Sequence, residues 1–346
     1  MKRPNAEYAR DAQSTQKKTA REARKDSLCV PRATSTSSAL NPFFFVGIDG
    51  GGSGCRARIE DSRGQTLGAG TAAPAAVRLG VDRALAAVHG AARAAAADAG
   101  LPADALARMH AVVGLAGIGR KSVLETLNAR PHRFASVAYV NDAIIACLGA
   151  HGGRDGGVVM VGTGSVALAI LDGKEIRVGG YGFPISDEGS GADLGLRAIR
   201  LALRAHDGQR PATDLTRAVM ARFHADPFEA VAWADRATAT DYAEFAPLVM
   251  DHAETGDNIA REIVVHAAEE IDELASRLAA RGVQRIALLG GLAERIAPWL
   301  AAGVRAGLVP SEGDAIDGAL ALARRLALSP QSHEEREERN SEALRK

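Results

Sequence analysis

Residues 43–54 read FFFVGIDGGGSG, a short apolar run followed by a glycine cluster. The apolar run 43–48 predicts a buried strand. Glycines let the backbone approach a ligand closely, so that successive N–H groups can converge on phosphate oxygens. A plain hairpin turn is the alternative, but four glycines in five positions exceed what a turn needs. The predicted phosphate-binding residues are Gly50, Gly51, Gly52, Ser53 and Gly54, and Asp49 before them could orient Mg²⁺ through its water shell.

Around this segment the hydrophobic pattern predicts one order of elements and then a second, similar order. The first order has strands over 54–60, 66–70, 109–115 and 135–140 and helices over 82–98 and 122–129. The second has strands over 157–161, 165–171, 175–178 and 284–289 and helices over 189–206, 213–223, 241–253, 257–281 and 314–328. The repeat predicts an α/β protein built from two related halves.

The second half carries its own glycine turn between two apolar strands, Gly162-Thr163-Gly164-Ser165. Its N–H donors and hydroxyls suit phosphate oxygens, although a simple turn explains the same residues by itself. The two glycine turns stand at matching places in the two halves. A cleft between the halves could therefore hold one polyphosphate from both sides.

Three further segments follow or precede predicted helices. Asp142 follows the strand 135–140, where it can cap the next helix and also point into the crevice where α/β proteins bind ligands. Residues 179–191 read GGYGFPISDEGSG, in which Asp187 or Glu188 can cap a helix or bind sugar hydroxyls. In residues 288–292, Gly290 and Gly291 leave room for a flat base or a ribose against the backbone.

Composition narrows the class of protein. The 346 residues are 47% apolar, and the 42 basic residues balance the 42 acidic ones, which gives no global field for a nucleic acid. The apolar runs are too short for a membrane span. Three scattered cysteines argue against a disulfide framework, an iron–sulfur cluster or a zinc ribbon and fit a reducing cytoplasm.

Two terminal segments, 1–42 and 329–346, are predicted to be disordered tails. The first has nine basic and four acidic residues, so a basic arm for an acidic partner stays open as its alternative.

Taken in order, the motifs DGGGSG, ND, GTGS, GGYGFPISDEGSG, LLGGLAERI and DAIDGAL resemble one protein family. It is the N-acetylglucosamine kinase and BadF/BcrA-type branch of the sugar kinase/Hsp70/actin superfamily, and FPISDEGSGADLGLR is most similar to its bacterial glucosamine kinases. The resemblance covers about residues 43–328. It implies a two-domain actin-like ATPase fold with ribonuclease H-like halves and an ATP cleft between them. The expected domains are 43–142 and 143–313, with the last helix, 314–328, packing back on the first domain.

The resemblance also implies an activity, the ATP- and Mg²⁺-dependent phosphorylation of the 6-hydroxyl of glucosamine. Asp142 would be the catalytic base. Thr163, Gly182 and Asp187 would bind the sugar, and Gly290 and Gly291 would flank the adenosine. N-acetylglucosamine is the alternative acceptor, because a small pocket near 181–183 would decide between amine and acetamide.

One departure from the family pattern concerns the loop 72–80. The family has an Asn there that contacts the sugar, and this sequence has Ala76 at the nearest position. Two more distant functions are a dehydratase-activating ATPase, which would need paired cysteines, and a non-catalytic sugar sensor, which would need a DNA-binding module. We expect a cytoplasmic protein with an amino-sugar substrate and no membrane or nucleic-acid partner. Whether it forms a homodimer is left open.

Overall fold

A computed structural model describes residues 43–102, 104–119 and 121–327. The two predicted tails, 1–42 and 329–346, and Leu328 lie outside these residues. The first sheet has the strand order β3-β2-β1-β4-β5, in which β1 to β3 are antiparallel neighbours and β4 and β5 run parallel to β1. Its strands are β1 (Phe44–Gly50), β2 (Cys55–Glu60), β3 (Thr66–Ala72), β4 (Met109–Leu115) and β5 (Ser136–Asn141).

The second sheet repeats this plan with the order β8-β7-β6-β9, and β9 runs parallel to β6. A single parallel bridge from Ile286 to Leu308 stands where the first sheet has its fifth strand. The predicted repeat of element order is thus confirmed as two sheets of related topology. The strands are β6 (Gly156–Val161), β7 (Ser165–Leu171), β8 (Lys174–Gly179) and β9 (Ile286–Leu289).

Helices flank both sheets. None of those in the described ranges is long and apolar enough to cross a bilayer. Single-turn 3₁₀ helices cover Val77–Leu79, Ala105–Arg108 and Ala297–Trp299. The α-helices are α1 (Val81–Asp98), α2 (Lys121–Asn128), α3 (Asp142–Ala150), α4 (Gly191–His206), α5 (Asp214–Ala221), α6 (Pro227–Ala234), α7 (Ala239–Ala243), α8 (Ala246–Glu254), α9 (Asn258–Ala279), α10 (Ala293–Ile296), α11 (Ala302–Gly307) and α12 (Ala315–Ala327).

One predicted helix is wrong. The segment 241–253 forms two helices, α7 and α8, that are separated at Glu244 and Phe245. Pro247 has no N–H to donate to the carbonyl of Ala243, four residues earlier, so it suits the first turn of a new helix. Helix α6 was not predicted, although Asp226 caps it by accepting a hydrogen bond from Phe228 N at 2.8 Å and Pro227 begins it.

Two cores hold the two halves. In the first lobe (β1–β5 with α1 and α2), the alanine-rich face of α1 packs against β1, β2 and β3. Alanine suits this helix because Gly68 and Gly70 bring β3 so close that a side chain on either glycine would overlap the backbone of α1. In the second lobe (β6–β9 with α4–α11), the helices α4, α5, α8 and α9 bury the larger core against β6 and β7.

Helices α3 and α12 connect the lobes by crossing each other. Helix α3 follows the first sheet and contacts β6 and β7, whereas α12 follows the second sheet and packs on β1 and β4. Two glycines face each other at the crossing. A Cβ on Gly318 would lie 2.5 Å from the backbone nitrogen of Gly149, and one on Gly149 would lie 2.6 Å from the carbonyl carbon of Asp314. The backbones therefore touch without side chains between them.

The glycine contact predicts a large effect for the smallest substitution. Gly318→Ala should lower the free energy of unfolding by about 3 kcal/mol or more, because the added methyl group meets backbone atoms that cannot rotate away. Gly303→Ala is the control, since Gly303 is also helical and a Cβ there meets nothing within 4 Å. That substitution should be neutral or stabilising by up to about 1 kcal/mol. Urea unfolding curves measure both values, and equal effects would contradict the close crossing.

Candidate functional site

The junction between β5 and α3 presents Asp142. The predicted N-cap role of Asp142 is wrong, because Asn141 has the extended backbone of a cap and its Oδ1 accepts a hydrogen bond from Ala143 N at 2.9 Å. Asp142 is instead the first residue of α3. Its Oδ1 also accepts from Ala143 N, at 3.0 Å.

Strand register places Asp142 on the same sheet edge as Asp49. Asp49 is paired with Gly114 on β4, and Gly114 is paired with Val140 on β5. Since neighbouring strands are about 4.8 Å apart, the ends of β1 and β5 lie about 10 Å from each other across β4. A Cβ on Gly114 would lie 3.4 Å from the Cα of Asp142. Glycine on the middle strand therefore lets the start of α3 settle over this edge.

The surroundings of Asp142 disfavour its ionised form. Burial raises the pKa of Asp142 above its ordinary value, and the hydrogen bond from Ala143 opposes this. The carboxylate of Asp49 raises the pKa of Asp142 further, and the guanidinium of Arg177 lowers it. Asp49 and Arg177 thus both act electrostatically on Asp142. Asp49 lies near the end of β1, Asp142 directly follows β5, and Arg177 lies on β8 in the other lobe.

The first glycine loop is both a hairpin turn and a candidate binding loop. Gly51 N donates to Gly54 O at 2.9 Å, and Gly51 O accepts from Ala75 N and Ala76 N at 3.0 and 3.1 Å. These bonds fix the turn and leave Gly52 and Ser53 exposed at its tip.

The loop 72–80, which lacks the Asn of the family pattern, places an arginine beside this turn. Ala76 is buried against the glycine loop. The next residue but one, Arg78, is exposed, and its Nη2 lies 3.3 Å from the position that a Cβ on Gly52 would take. Sequence reasoning missed Arg78, although it stands in the loop 72–80 where the family has its sugar-binding Asn.

Asp49, the predicted magnesium-orienting residue, is engaged in an ion pair. Arg56 Nη2 donates to Asp49 Oδ2 at 2.7 Å. The two residues are directly opposite in the β1–β2 register. Among the residues that the structure describes, Oδ1 of Asp49 has no hydrogen-bond partner.

The second glycine loop is fastened by the segments around it. Gly162 N donates to Gly164 O at 2.9 Å, and its own carbonyl accepts from Gly191 N, at the start of α4, at 2.8 Å. The hydroxyl of Ser165 is buried and donates to Glu188 O at 2.6 Å, so it holds the loop in place. Thr163 remains exposed between these anchors.

The acidic segment before α4 is strained at Asp187. The prediction that Asp187 or Glu188 caps α4 is wrong, because Ser190 does so by accepting a hydrogen bond from Asp193 N at 3.3 Å. Asp187 has a φ of 70°, in the left-handed region that residues other than glycine seldom adopt. Its Oδ1 accepts from Gly182 N at 3.1 Å, and a side chain on Gly164 would overlap its carboxylate.

The carboxyl group of Asp187 shares its electrostatic surroundings with Asp142. Burial raises the pKa of Asp187, the hydrogen bond from Gly182 opposes this, Glu188 raises the pKa further and Arg177 lowers it. Asp142 and Asp187 are therefore two partly desolvated carboxyl groups that both feel the charge of one arginine, Arg177.

Arg177 is the functional candidate that sequence reasoning missed altogether. It lies on β8, where its Nε donates to Gly179 O at 3.2 Å and its Nη2 donates to Gly180 O. Its guanidinium carbon lies 5.5 Å from the ring centroid of Tyr181. Its Nη1 is 3.4 Å from the position of a Cβ on Gly119, in the first lobe. One arginine in a strand has no motif around it, so only its contacts reveal that it bridges the lobes.

A cavity of about 350 Å³ adjoins the second glycine loop. It brings Gly162 and Thr163 together with Gly291, as the sequence predicts for a ligand site. Gly290 has a φ of 106°, and a side chain there would overlap Val161 O, so it closes the turn and does not line the cavity. Gly191, Leu292 and Arg295, which belong to motifs already singled out in the sequence, form part of the remaining walls. The rest comes from a segment that carried no signal, with Ala243, Ala246, Pro247 and Met250.

Comparison with known proteins agrees with this architecture. A glucosamine kinase of Vibrio cholerae, GspK, is 42% identical over 280 residues, which are 81% of this chain and 95% of that protein. The crystal structure of a predicted N-acetylglucosamine kinase from Chromobacterium violaceum superposes with a TM-score of 0.76 at 35% identity and covers 81% of this chain and 99% of its own.

A more distant structure supports the fold alone. It is another predicted N-acetylglucosamine kinase, from Porphyromonas gingivalis, with a TM-score of 0.56 at 19% identity, covering 82% of this chain and 99% of its own. The expected actin-like fold of two related halves is confirmed by these likenesses together with the two sheets. The family model of the BadF/BadG/BcrA/BcrD ATPases matches residues 46–305. The chain therefore belongs to the BadF/BadG/BcrA/BcrD ATPase family.

Proposed function

We propose that this chain is an ATP-dependent glucosamine kinase that transfers the γ-phosphoryl group of ATP to the 6-hydroxyl of glucosamine. The observation that carries the reaction type is the partly desolvated carboxyl group of Asp142, which interacts with Asp49 and Arg177 at the edge of the first sheet. The likeness to the Vibrio cholerae glucosamine kinase, over nearly all of that protein, supports the choice of sugar.

The nucleotide has a suitable place in the cavity beside the second glycine loop. A flat base fits between apolar side chains such as Ala246 and Met250 and the backbone of Gly291. Exposed Thr163, at the rim of this cavity, then faces the phosphates. The exposed tip of the first glycine loop and Arg78 offer donors from the other lobe.

The residues present fit a magnesium ion that arrives with the nucleotide. In the described part of the chain, no three His, Cys, Asp or Glu side chains are grouped so that they could hold a metal ion alone. Mg²⁺ commonly takes one carboxylate and completes its shell with water and substrate phosphates. Oδ1 of Asp49 would supply that carboxylate, while Arg56 fixes the other oxygen. Bound there, Mg²⁺ would neutralise charge on the phosphates.

Asp142 would remove the proton of the sugar hydroxyl. Its carboxylate accepts the proton of the 6-hydroxyl while the hydroxyl oxygen bonds to the γ-phosphorus and the bond from phosphorus to the bridging oxygen of ADP breaks. A raised pKa makes Asp142 a stronger base than an exposed aspartate. The charge of Arg177 lowers the pKa of Asp142 and so favours its carboxylate form, and the same charge would attract the transferred phosphoryl group.

The sugar would be bound between Asp142 and Asp187. A carboxylate at Asp187 can accept hydrogen bonds from sugar hydroxyls, with Gly182 bonded to it on one side and Gly164, next to Thr163, in contact with it on the other. The acidic pair Asp187 and Glu188 also attracts an ammonium group, which glucosamine carries and N-acetylglucosamine lacks. This charge favours glucosamine over the acetylated sugar.

Replacing the proposed base is the direct test of the mechanism. Asp142→Asn should lower kcat by a factor on the order of 10² or more and leave nucleotide binding nearly unchanged. A coupled assay of ADP release, with glucosamine, N-acetylglucosamine, other hexoses and no sugar, measures both rate and acceptor. Near-normal turnover of the variant would remove Asp142 from catalysis. ATP hydrolysis that needs no sugar would overturn the kinase proposal.

The same substitution should make the protein more stable. Because the pKa of Asp142 is raised in the folded state, its ionised form costs stability above that pKa, and the cost disappears as the pH falls through it. Asn has no charge to desolvate and can still accept the hydrogen bond from Ala143. Thermal unfolding should therefore show a higher Tm for Asp142→Asn at pH 7 and a smaller difference at pH 4. A lower Tm at pH 7 would contradict the stated burial of the charge.

Substitutions at two adjacent glycines test nucleotide binding and stability separately. Gly291→Ala adds a methyl group that meets no protein atom within 4 Å but projects from the wall of the cavity. It should raise the KM for ATP about tenfold with little change in Tm, because the loss is one of ligand space. Gly290→Ala should lower the Tm instead, because its side chain would overlap Val161 O. A KM for ATP that Gly291→Ala leaves unchanged would place the nucleotide elsewhere.

A further inference from the structure

A second cavity, of about 550 Å³, lies between α4 and α9 and shares no lining residue with the first. Three arginines of α4 line it, Arg197, Arg200 and Arg204. Their spacing of three and four residues puts all three on one face of the helix. Helix α9 contributes Glu262, Ile263 and His266 to the opposite wall.

Two of these arginines carry charge that the cavity does not neutralise. Arg197 Nε donates to Asp193 Oδ2 at 2.9 Å, and Glu262 is paired with Arg210 at 2.6 Å. Arg200 and Arg204 are exposed and have no carboxylate partner within the ranges that the structure describes. Like charges one turn apart repel each other and destabilise a helix. A ligand of opposite charge held by both side chains would remove this repulsion.

The chemistry of the walls indicates what that ligand is. Guanidinium groups match phosphate oxygens with paired, charge-assisted hydrogen bonds. The volume is in the range of small-molecule sites, and the apolar side chains of Leu201 and Ile263 line it beside the charges. We propose that this cavity binds a small phosphate monoester, with its phosphate held between Arg200 and Arg204, at a site separate from the one that transfers phosphate.

The cavity is connected to the acidic segment of the first site. Asp193, the partner of Arg197, also accepts a hydrogen bond from Gly189 N at 3.1 Å through the same oxygen, Oδ2. Gly189 is two residues from Asp187. A phosphate held between Arg200 and Arg204 would therefore share a cavity with Arg197, whose ion pair with Asp193 leads to the segment that is proposed to hold the sugar.

Binding can be measured with one double variant and one control. Arg200→Gln with Arg204→Gln removes both free charges, and Arg236→Gln removes another exposed arginine that lies outside the cavity. Isothermal titration calorimetry with glucosamine 6-phosphate, AMP and inorganic phosphate, each titrated separately, distinguishes the sources of the phosphate. For at least one ester, the wild type and Arg236→Gln should show a binding event that the double variant lacks or makes at least tenfold weaker. The same isotherms for all three proteins would overturn the proposal.

Crystals of the wild type provide the second measurement and need no variant. Tungstate, a heavy phosphate mimic, should give anomalous density between Arg200 and Arg204, and density only elsewhere would overturn the proposal. The ADP-release assay on the same proteins keeps the two proposals apart. A double variant that loses the binding event and keeps its turnover supports both. If even the wild type shows no turnover while the binding difference persists, the kinase proposal fails and the phosphate site stands.

Discussion

The contact on which the rest of the structure depends is the crossing of α3 and α12 at Gly149 and Gly318. Each helix leaves one sheet and packs against the other, so their crossing fixes how the two lobes meet. The absence of side chains lets the backbones touch, and apolar residues fill the space on both sides. Ile145 of α3 joins α12 and the first sheet in one cluster, and Cys147 joins the second sheet in another. Burial raises the pKa of the Cys147 thiol to about 11, so it packs there as an uncharged group.

An ion-pair network links this crossing to the candidate site. Alternate residues of β2 point to the face covered by α12, where Arg58 lies 2.5 Å from Asp317 and 3.2 Å from Asp314, and Glu60 pairs with Arg324. Arg56 lies 2.7 Å from Asp49 and 3.7 Å from Asp314. Exposed ion pairs contribute little individually. Here the ion pairs fix relative positions, because Arg56, which orients the Asp49 carboxylate, also pairs with Asp314 just before α12.

The candidate site contains groups whose local environment or backbone conformation is energetically unfavourable. Burial raises the pKa of both Asp142 and Asp187, and Asp187 also has a left-handed backbone. Such costs are typical of functional positions, because a desolvated carboxyl group is reactive in a way that an exposed one is not. The second cavity shows the same kind of conflict at Arg200 and Arg204, where like charges share one helix face without a described counter-ion.

All nine strands of the two sheets, most helices and the two glycine turns were predictable from the sequence, because they depend on hydrophobic periodicity and backbone freedom, which neighbouring residues encode. The sequence did not distinguish between neighbouring polar residues that could each cap a helix. Asn141 and Ser190 cap the helices that Asp142, Asp187 or Glu188 was predicted to cap. It proposed which residues do chemistry but not how they are arranged. The tertiary structure alone brought Arg177 within electrostatic reach of two aspartates, built an apolar wall from Ala243 to Met250 and left Arg200 and Arg204 lining a cavity. These features depend on distances between residues far apart in the chain, and such distances leave no periodic trace in the sequence.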